Sequence, residues 1–306
     1  MTSLSQLIFN LKEVVQITTD ACQYWVGRGD EKAADQAAVL AMRNALNSLP
    51  INGRIVIGEG ERDFAPMLHI GELVGQGGLA VDIAVDPLEG TTICANAGRG
   101  ALAVLAVTEQ GNLLHAPDVY MEKIAIGSGL PTDLIDLDAP IKTNLHNLAR
   151  AKKVEVTDLT VTILQRERHQ DIINQVRSAG ARVRLINDGD ISAVLTTNSR
   201  FGALSDMYLG IGGAPEGVLA AAAQKCLGGQ IYGRLIINDD SKKRAANMGI
   251  TDPNIIYTQD TMVKGDVIFA AAKITEGDLL TKEQDVLVLS SIANGLEDAV
   301  GFRQRN

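Results

Sequence analysis

Cysteine is scarce in this chain of 306 residues: three occur, Cys22, Cys94 and Cys226, with no paired metal-ligand spacing. That excludes a disulfide scaffold as the organising device and points to a reducing, cytosolic setting. Histidine is equally sparse. His69, His115, His146 and His169 are scattered and form no zinc motif. Positive charge is also short, with 28 Lys and Arg against 37 Asp and Glu for a formal charge of −9. Such a balance argues against a nucleic acid or an anionic membrane as the main partner. Phosphate ligands stay open, because bound cations reverse the local sign. Long apolar runs are missing: the alanine-rich "GVLAAAAQKCLGG" is too short to span a bilayer and holds a lysine. The start, "MTSLSQLIFNLKEVVQ", lacks a basic flank and a long apolar core, and reads as an amphipathic helix. The expectation is a soluble, cytoplasmic protein. What is present is a globular composition, 46% hydrophobic, sufficient for one large domain or two modest ones.

Leu4 to about Tyr24 reads as helix, and "GRGDEKAAD" as a loop into a second helix through Asn47. Asp35 falls near the start of that helix, where a carboxylate is electrostatically favoured. A capping or first-turn role and a metal-binding role are both open there. "GRIVIGEG" and "LAVDIAVDP" read as strands, with Asp82 interrupting the second and Asp86 ending it before a proline. "ALAVLAVTEQGNLLHAPD" suggests a hairpin turning at "EQGN", and "VYMEKIAIGSG" another strand. From "TVTILQRERHQDIINQVRSAGARVRLINDGDISAVL" the order becomes strand, helix, strand, helix, a βαβ-like passage. "MYLGIGGAPEGVLAAAAQKCLGG" gives strand, glycine-rich loop and helix; "DVIFAAAKI" and "DVLVLSSIA" add two tail strands that can return to either sheet. The fold class is α/β, in layered α+β form. We expect a helix-plus-sheet metal and phosphate domain over 1–152 and an α/β domain completing the substrate site over 153–306, with the boundary near Lys153.

The chemistry concentrates in acids beside glycines. In "AVDPLEGTT", Asp86 and Glu89 are three apart across Pro87, a spacing that can turn both carboxylates toward one cation. Oxygen-only ligation suits Mg²⁺ or Mn²⁺. Gly90, Thr91 and Thr92 then offer N–H groups and hydroxyls at a helix start, a natural phosphate cradle. The competing reading is a Pro-Gly turn with solvated acids. In "GEGERD", Gly58 and Gly60 let the backbone bend around Glu59, which lies just past "RIVI" as Asp86 lies past "DIAV". Strand ends meeting at one edge are where α/β folds place sites. Divalent cations relieve the repulsion of carboxylates converging there. Glu61 reads as a surface residue and Asp82 as a structural partner. "GIGGAPEG" is neither a dinucleotide fingerprint nor a Walker loop. Glu216 behind it is a helix N-terminal charge or a metal ligand. Arg166 and Arg168 follow "TVTIL" and could clamp a second phosphate. Asp188 and Asp190 in "NDGD" would then meet sugar hydroxyls, or else form a turn before a helix.

Together these stretches resemble one family, the class II fructose-1,6-bisphosphatases, including cyanobacterial relatives that act on fructose 1,6-bisphosphate and sedoheptulose 1,7-bisphosphate. The matching runs are "GRGD", "GRIVIGEGERDFAPML", "VDIAVDPLEGTT", "APDVYMEK", "TVTIL" with "RH", "DGD", "GIGGAPEG", "GDVIFAA" and "GDLL", in order from Gly27 to Leu280. The resemblance implies the lithium-sensitive, metal-dependent sugar-phosphatase fold, with alternating helix and sheet layers. It implies two or three Mg²⁺ or Mn²⁺ ions on Asp35, Glu59, Asp86, Glu89 and Glu216. Substrate contacts fall by position on Glu89, Gly90, Thr91, Tyr120, Arg166, Glu167, Arg168, Asp188, Gly189, Asp190 and Gly213, and catalytic roles on Asp63 and Thr91. The implied activity removes the 1-phosphate of a sugar bisphosphate, in a homodimer or homotetramer. An inositol-monophosphatase-like activity and a non-catalytic sugar-phosphate sensor are the rivals. Three places depart from the family pattern. Glu31 stands where a basic or polar residue is usual, Arg166 where lysine is common, and Ala272-Lys273 where a Thr-Gly pair is usual. The metal carboxylates all remain.

Overall fold

A computed structural model describes residues 3–59, 67–280 and 283–292. The chain divides into two compact units, Met1–Ala116 with Met262–Asn306, and Pro117–Thr261. The second is therefore an insertion in the sequence of the first.

The first unit opens with a 3₁₀ turn, Leu4–Leu7, running into α1 (Ile8–Gln23) and then α2 (Glu31–Asn47). In α1, Ile8, Leu11, Val14, Val15, Thr18, Thr19 and Cys22 recur at three- and four-residue steps and are all buried. That spacing lays one apolar stripe along a helix. Asp30 caps α2, its carboxylate accepting from Ala33 N at 2.9 Å. The strands are β1 (Ile51–Ile57), β2 (Leu73–Val74), β3 (Leu79–Glu89) and β4 (Leu102–Glu109), with the short α3 (Thr91–Ala95) between the last two. They form a six-stranded sheet with two later strands, numbered below in chain order. Its pairing is antiparallel except where β1 runs parallel to β3. Ile55, Val81, Ile83, Val85, Leu105 and Val107 of this sheet join α1 and α2 in one core.

The second unit carries its own six-stranded sheet. Its elements are β5 (Tyr120–Ile126), α4 (Ile141–Lys152), β6 (Thr160–Leu164), α5 (Gln170–Ser178), β7 (Arg182–Ile186), α6 (Asp190–Leu195) and β8 (Met207–Gly213). There follow α7 (Ala214–Leu227), β9 (Gln230–Ile236), α8 (Asp239–Asn247), β10 (Ile256–Thr258) and α9 (Gln259–Met262). The strand order is β10-β9-β5-β8-β6-β7, with β6, β7 and β8 parallel. Leu145, Leu148, Ile173 and Val176 of α4 and α5 share a core with Ile124, Ile126, Val161 and Ile163 of the sheet. Helix α7 packs on β5, β8 and β9. The unit is thus a helix layer, a sheet and a helix layer. The tail strands β11 (Val267–Lys273) and β12 (Val286–Ser290) belong to the first unit's sheet, β11 pairing with β4.

Three expectations change. The boundary lies at Ala116/Pro117 rather than near Lys153, because β5 pairs only with β8 and β9 and so belongs to the second sheet. "EQGN" does not turn a hairpin: β4 has β3 and β11 as neighbours, and Leu113 beyond the turn bridges to Val263. Asp86 does not end its strand. Pairing with β4 resumes at Glu89 after a register shift, so Pro87 occupies an irregularity where its missing N–H costs no ladder bond. The three cysteines form no disulfide. Among the described residues no helix is long and apolar enough to cross a membrane.

Candidate active site

In the first unit the parallel pair β1 and β3 sends two strand ends to one edge. Ile57, the last residue of β1, is level with Ala84 of β3, and Glu59 and Asp86 each lie two residues further along the chain from that pair. The backbone at Glu59 is held by its N–H donating to Leu68 O at 2.9 Å. Glu59 and Asp86 are half-buried, and Glu89 is buried. Gly90 follows with φ +85°, a left-handed conformation that favours glycine, and it starts α3. Thr91 is the first residue of that helix, its hydroxyl 3.5 Å from Leu88 O. Since α3 is only five residues long, a phosphate there would rely on local N–H and hydroxyl groups more than on a helix dipole. Asp35 lies in the second turn of α2, and Asp30 already caps that helix, which removes the capping alternative. Burial raises its pKa, as expected of a carboxylate lacking full hydration. Asp63 and Glu61 lie outside the described residues.

Asp82 has a structural explanation. Its fully buried carboxylate takes Arg54 Nε and Nη2 on Oδ1 at 3.1 and 2.8 Å, and Gly111 N on Oδ2 at 2.7 Å. Of the departures, Glu31 is exposed in the first turn of α2, where the helix dipole favours acid. Lys273 is in ladder row with Leu102, itself in row with Glu89, and pairs with Asp285 at 3.1 Å. Ala272 is buried.

In the second unit the parallel strands β6, β7 and β8 deliver their carboxyl ends to one edge. Arg166, Glu167 and Arg168 follow β6; Asp188, Gly189 and Asp190 follow β7; Gly213 ends β8 and Glu216 opens α7. Tyr120 begins β5 directly opposite Gly213. All the second-unit residues singled out in the sequence therefore share this edge, as the crevice rule for parallel strands leads one to expect. Arg168 stacks on the Tyr120 ring, its guanidinium carbon 4.6 Å from the centroid, and donates to Ile211 O at 2.9 and 3.1 Å. Arg166 is exposed and donates to Gln165 O at 3.1 Å. Glu167 is exposed in a 3₁₀ turn. Gly189, with φ +87°, starts α6, and Asp188 accepts from its N–H at 3.0 Å.

Sequence reasoning missed two partners here. Lys123 on β5 is buried, and its Nζ donates to Asp190 Oδ2 and, at 2.9 Å, to Gly213 O. Tyr208 on β8 is buried too, its hydroxyl 3.4 Å from Asp190 Oδ2. The signal was available: a lysine inside the otherwise apolar "KIAI" run must find an acid if the strand is central.

A family model described as bacterial fructose-1,6-bisphosphatase, glpX-encoded, matches residues 5–287. The chain belongs to that family. It is 44% identical over 303 residues to the D-fructose 1,6-bisphosphatase class 2/sedoheptulose 1,7-bisphosphatase of Synechococcus sp. (strain JA-3-3Ab), covering 90% of this chain and 87% of that protein. A protein of the same description from Trichodesmium erythraeum (strain IMS101) is 41% identical over 295 residues, covering 88% and 85%. Similarity to the solved suhB protein of Bartonella henselae is partial, with TM-score 0.37 and 12% identity over 68% of this chain and 76% of that one. As a member of the bacterial fructose-1,6-bisphosphatase family the chain is a metal-dependent enzyme with layered helices and sheets.

Whether its own residues suit a cation is answered best at Glu216. This carboxylate is buried, and its Oε2 has no hydrogen-bond partner among the described residues. Burial, then the nearby Asp190, push its pKa up to about 7, against the opposing pull of Lys123. A Cβ on Gly213 would lie 1.9 Å from Oε2, so only glycine leaves the carboxylate its place. A buried, unpartnered carboxylate oxygen of this kind fits a hard divalent cation such as Mg²⁺ or Mn²⁺. Among the described residues no group of three or more His, Cys, Asp or Glu side chains is positioned to hold a metal ion.

A pH consequence follows. Between the ordinary value of 4.5 and about 7, Glu216 is protonated in the folded chain and ionised in the unfolded one. The folded state then binds more protons, so this group's contribution to stability falls as pH rises through that window. Metal-free protein is expected to lose stability from pH 5 to pH 8 relative to a Glu216→Gln variant, and saturating Mg²⁺ to reduce the difference. Denaturation midpoints across pH, with and without Mg²⁺, check this; parallel curves for the two proteins would refute it.

Proposed function

We propose that the chain hydrolyses the 1-phosphate of fructose 1,6-bisphosphate to fructose 6-phosphate and phosphate, and also acts on sedoheptulose 1,7-bisphosphate. The observation that carries this reading is the family match over residues 5–287, which spans every proposed site residue. The named relatives, described by both substrates, support the dual assignment. We assign Mg²⁺ or Mn²⁺, as two or three ions, to Asp35, Glu59, Asp86, Glu89 and Glu216. When bound, the cations supply positive charge to the reacting phosphate and to the departing oxygen. Gly90 and Thr91 hold that phosphate, with the Thr91 hydroxyl orienting the attacking water beside an acid, Asp63 or Asp35. Water adds to phosphorus, the bond to the C1 oxygen breaks, and that oxygen leaves with a proton as the sugar hydroxyl. Asp188, Gly189 and Asp190 meet the sugar, while Tyr120, Arg166, Glu167, Arg168 and Gly213 frame the remote phosphate. Arginine's planar fork suits that phosphate, and remote binding energy orients the reacting end. We further assign a cytoplasmic homodimer or homotetramer, which light scattering on the purified chain tests.

Phosphate release from fructose 1,6-bisphosphate, sedoheptulose 1,7-bisphosphate, inositol monophosphate and a small aryl phosphate tests the substrate assignment. Equal kcat/KM on inositol monophosphate and the bisphosphates would remove it. Failure on every sugar phosphate across Mg²⁺ and Mn²⁺ titrations would favour a non-catalytic sensor. Arg168→Ala is expected to lower kcat/KM on both bisphosphates by roughly tenfold or more, as for loss of a charge-assisted pair, and on the aryl ester much less. Equal proportional losses on all substrates would defeat the remote-phosphate role.

Thr91→Val is expected to cut turnover by about 100-fold, the low side of what a positioned proton-transfer group contributes, with substrate Kd little changed. A raised Kd with an unchanged single-turnover rate would instead make Thr91 a phosphate anchor only.

A further inference from the structure

His169 is fully buried although it closes an exposed turn. Its Nδ1 donates to Leu164 O at 2.7 Å, and its Nε2 accepts from Ile211 N at 2.8 Å. These bonds select the neutral tautomer with the proton on Nδ1. Leu164 is the last residue of β6, and Ile211 lies in β8. Those strands are ladder-paired only at Val161–Met207 and Thr162–Tyr208. Beyond that point the imidazole supplies the cross-link, one hydrogen bond to each strand. Gly210 leaves room for the ring: a Cβ there would lie 3.3 Å from Cε1 and Nε2 of His169.

The preceding residue uses the same anchor. Ile211 gives its N–H to His169 and its carbonyl to both Nε and Nη2 of Arg168. Consecutive side chains of one turn thus grip both polar groups of a single residue, and Tyr120 backs the guanidinium. We infer that His169 is a positioning residue for Arg168, fixing the turn from which Arg168 recognises the remote phosphate of the sugar bisphosphate. This rests on the role assigned to Arg168 above. An arginine left to choose among rotamers loses affinity to ordering entropy, and a held turn reduces that loss. The ring is suited to the task because it stays neutral. Burial lowers its pKa, and Arg168 and Arg166 add to that against the opposing hydrogen bond to the backbone of Leu164. A proton on Nε2 would set two N–H groups against each other at Ile211.

The test compares His169→Asn, His169→Gln, Arg168→Ala and the double variant His169→Asn/Arg168→Ala. It measures kcat and KM on fructose 1,6-bisphosphate and on p-nitrophenyl phosphate. Asparagine is too short to reach both strands, whereas glutamine carries a donor and an acceptor with more reach. His169→Asn is expected to raise KM for the bisphosphate on the order of tenfold, the size of one lost oriented contact, and to leave kcat within about twofold. The aryl ester should change little, and His169→Gln should recover most of the loss. The double variant should be no worse than Arg168→Ala alone, because residues acting through one another are not additive. Additive losses, an equal loss on both substrates, or an unchanged His169→Asn would each overturn the inference. Should His169→Asn not fold, the ring is a folding element and the inference falls. Absence of a selective effect in Arg168→Ala would instead bring down the reading of Arg168 itself.

Discussion

Glu59→Gln and Asp86→Asn are each expected to reduce turnover at least about 100-fold at limiting Mg²⁺, the range seen when transition-state electrostatics is disrupted. Both changes keep shape and remove charge, so the loss reads ion holding rather than packing. The geometry gives the two positions a common standing. They follow neighbouring parallel strands, each two residues beyond the last register pair, Ile57 with Ala84. Excess metal should rescue each variant in part, by raising the occupancy of a weakened site. EDTA should abolish wild-type activity, and Mg²⁺ or Mn²⁺ should restore it. Near-wild-type turnover in either variant at limiting Mg²⁺ would remove that residue from the metal set.

Lys123→Met should lower the stability of the second unit by about 3–5 kcal/mol, the cost of breaking a buried ion pair by removing one partner. For a unit of this size that is a fall in Tm of about 10 °C. The ammonium is buried, is bonded to Asp190 and to the carbonyl of Gly213, and offsets the charge of Glu216 as well. Without it, two carboxylates share a dry corner with only the Tyr208 hydroxyl for Asp190. Adding Asp190→Asn to Lys123→Met should recover part of the loss, since the stranded charge is then gone. Thermal and urea midpoints of the single and double variants measure this. An unshifted midpoint in Lys123→Met would show that the pair contributes no net stability.

Much of the fold was legible because local pattern and tertiary placement agreed. The stripe from Leu7 to Cys22, the βαβ order from Thr160 to Leu195 and the α7 helix after β8 each follow from spacing and turn residues. Sequence reading failed where long-range pairing decides. The "EQGN" turn has hairpin chemistry, yet β4 finds its second partner in β11, some 160 residues on, a choice no local window contains. The same blindness misplaced the boundary, because "VYMEKIAIGSG" reads as a strand without saying to which sheet. Helix α4 and strands β9 and β10 drew no attention, lying in stretches without site motifs. Of the candidate site, the acids and glycines stood out by their company, and the argument for Glu59 and Asp86 needed only the repeat of an acid after an apolar run, although Asp86 lies inside β3 and not at its end. Lys123, Tyr208 and His169 were not picked out because each acts through a partner remote in sequence.

The route of the chain has a consequence for its synthesis. Strand β4 is complete by Glu109, but its neighbour β11 begins at Val267, after the whole second unit has been made. On a ribosome the inserted unit can finish folding while the first sheet still presents β4 as an open edge. Closing that sheet means joining ends about 160 residues apart, Glu109 and Val267, a loop whose entropy cost is much smaller once the intervening chain is already compact. Order of emergence thus becomes order of assembly: the later-encoded unit is finished first, and the earlier one waits for its last strands, with its apolar edge the stretch most in need of protection meanwhile.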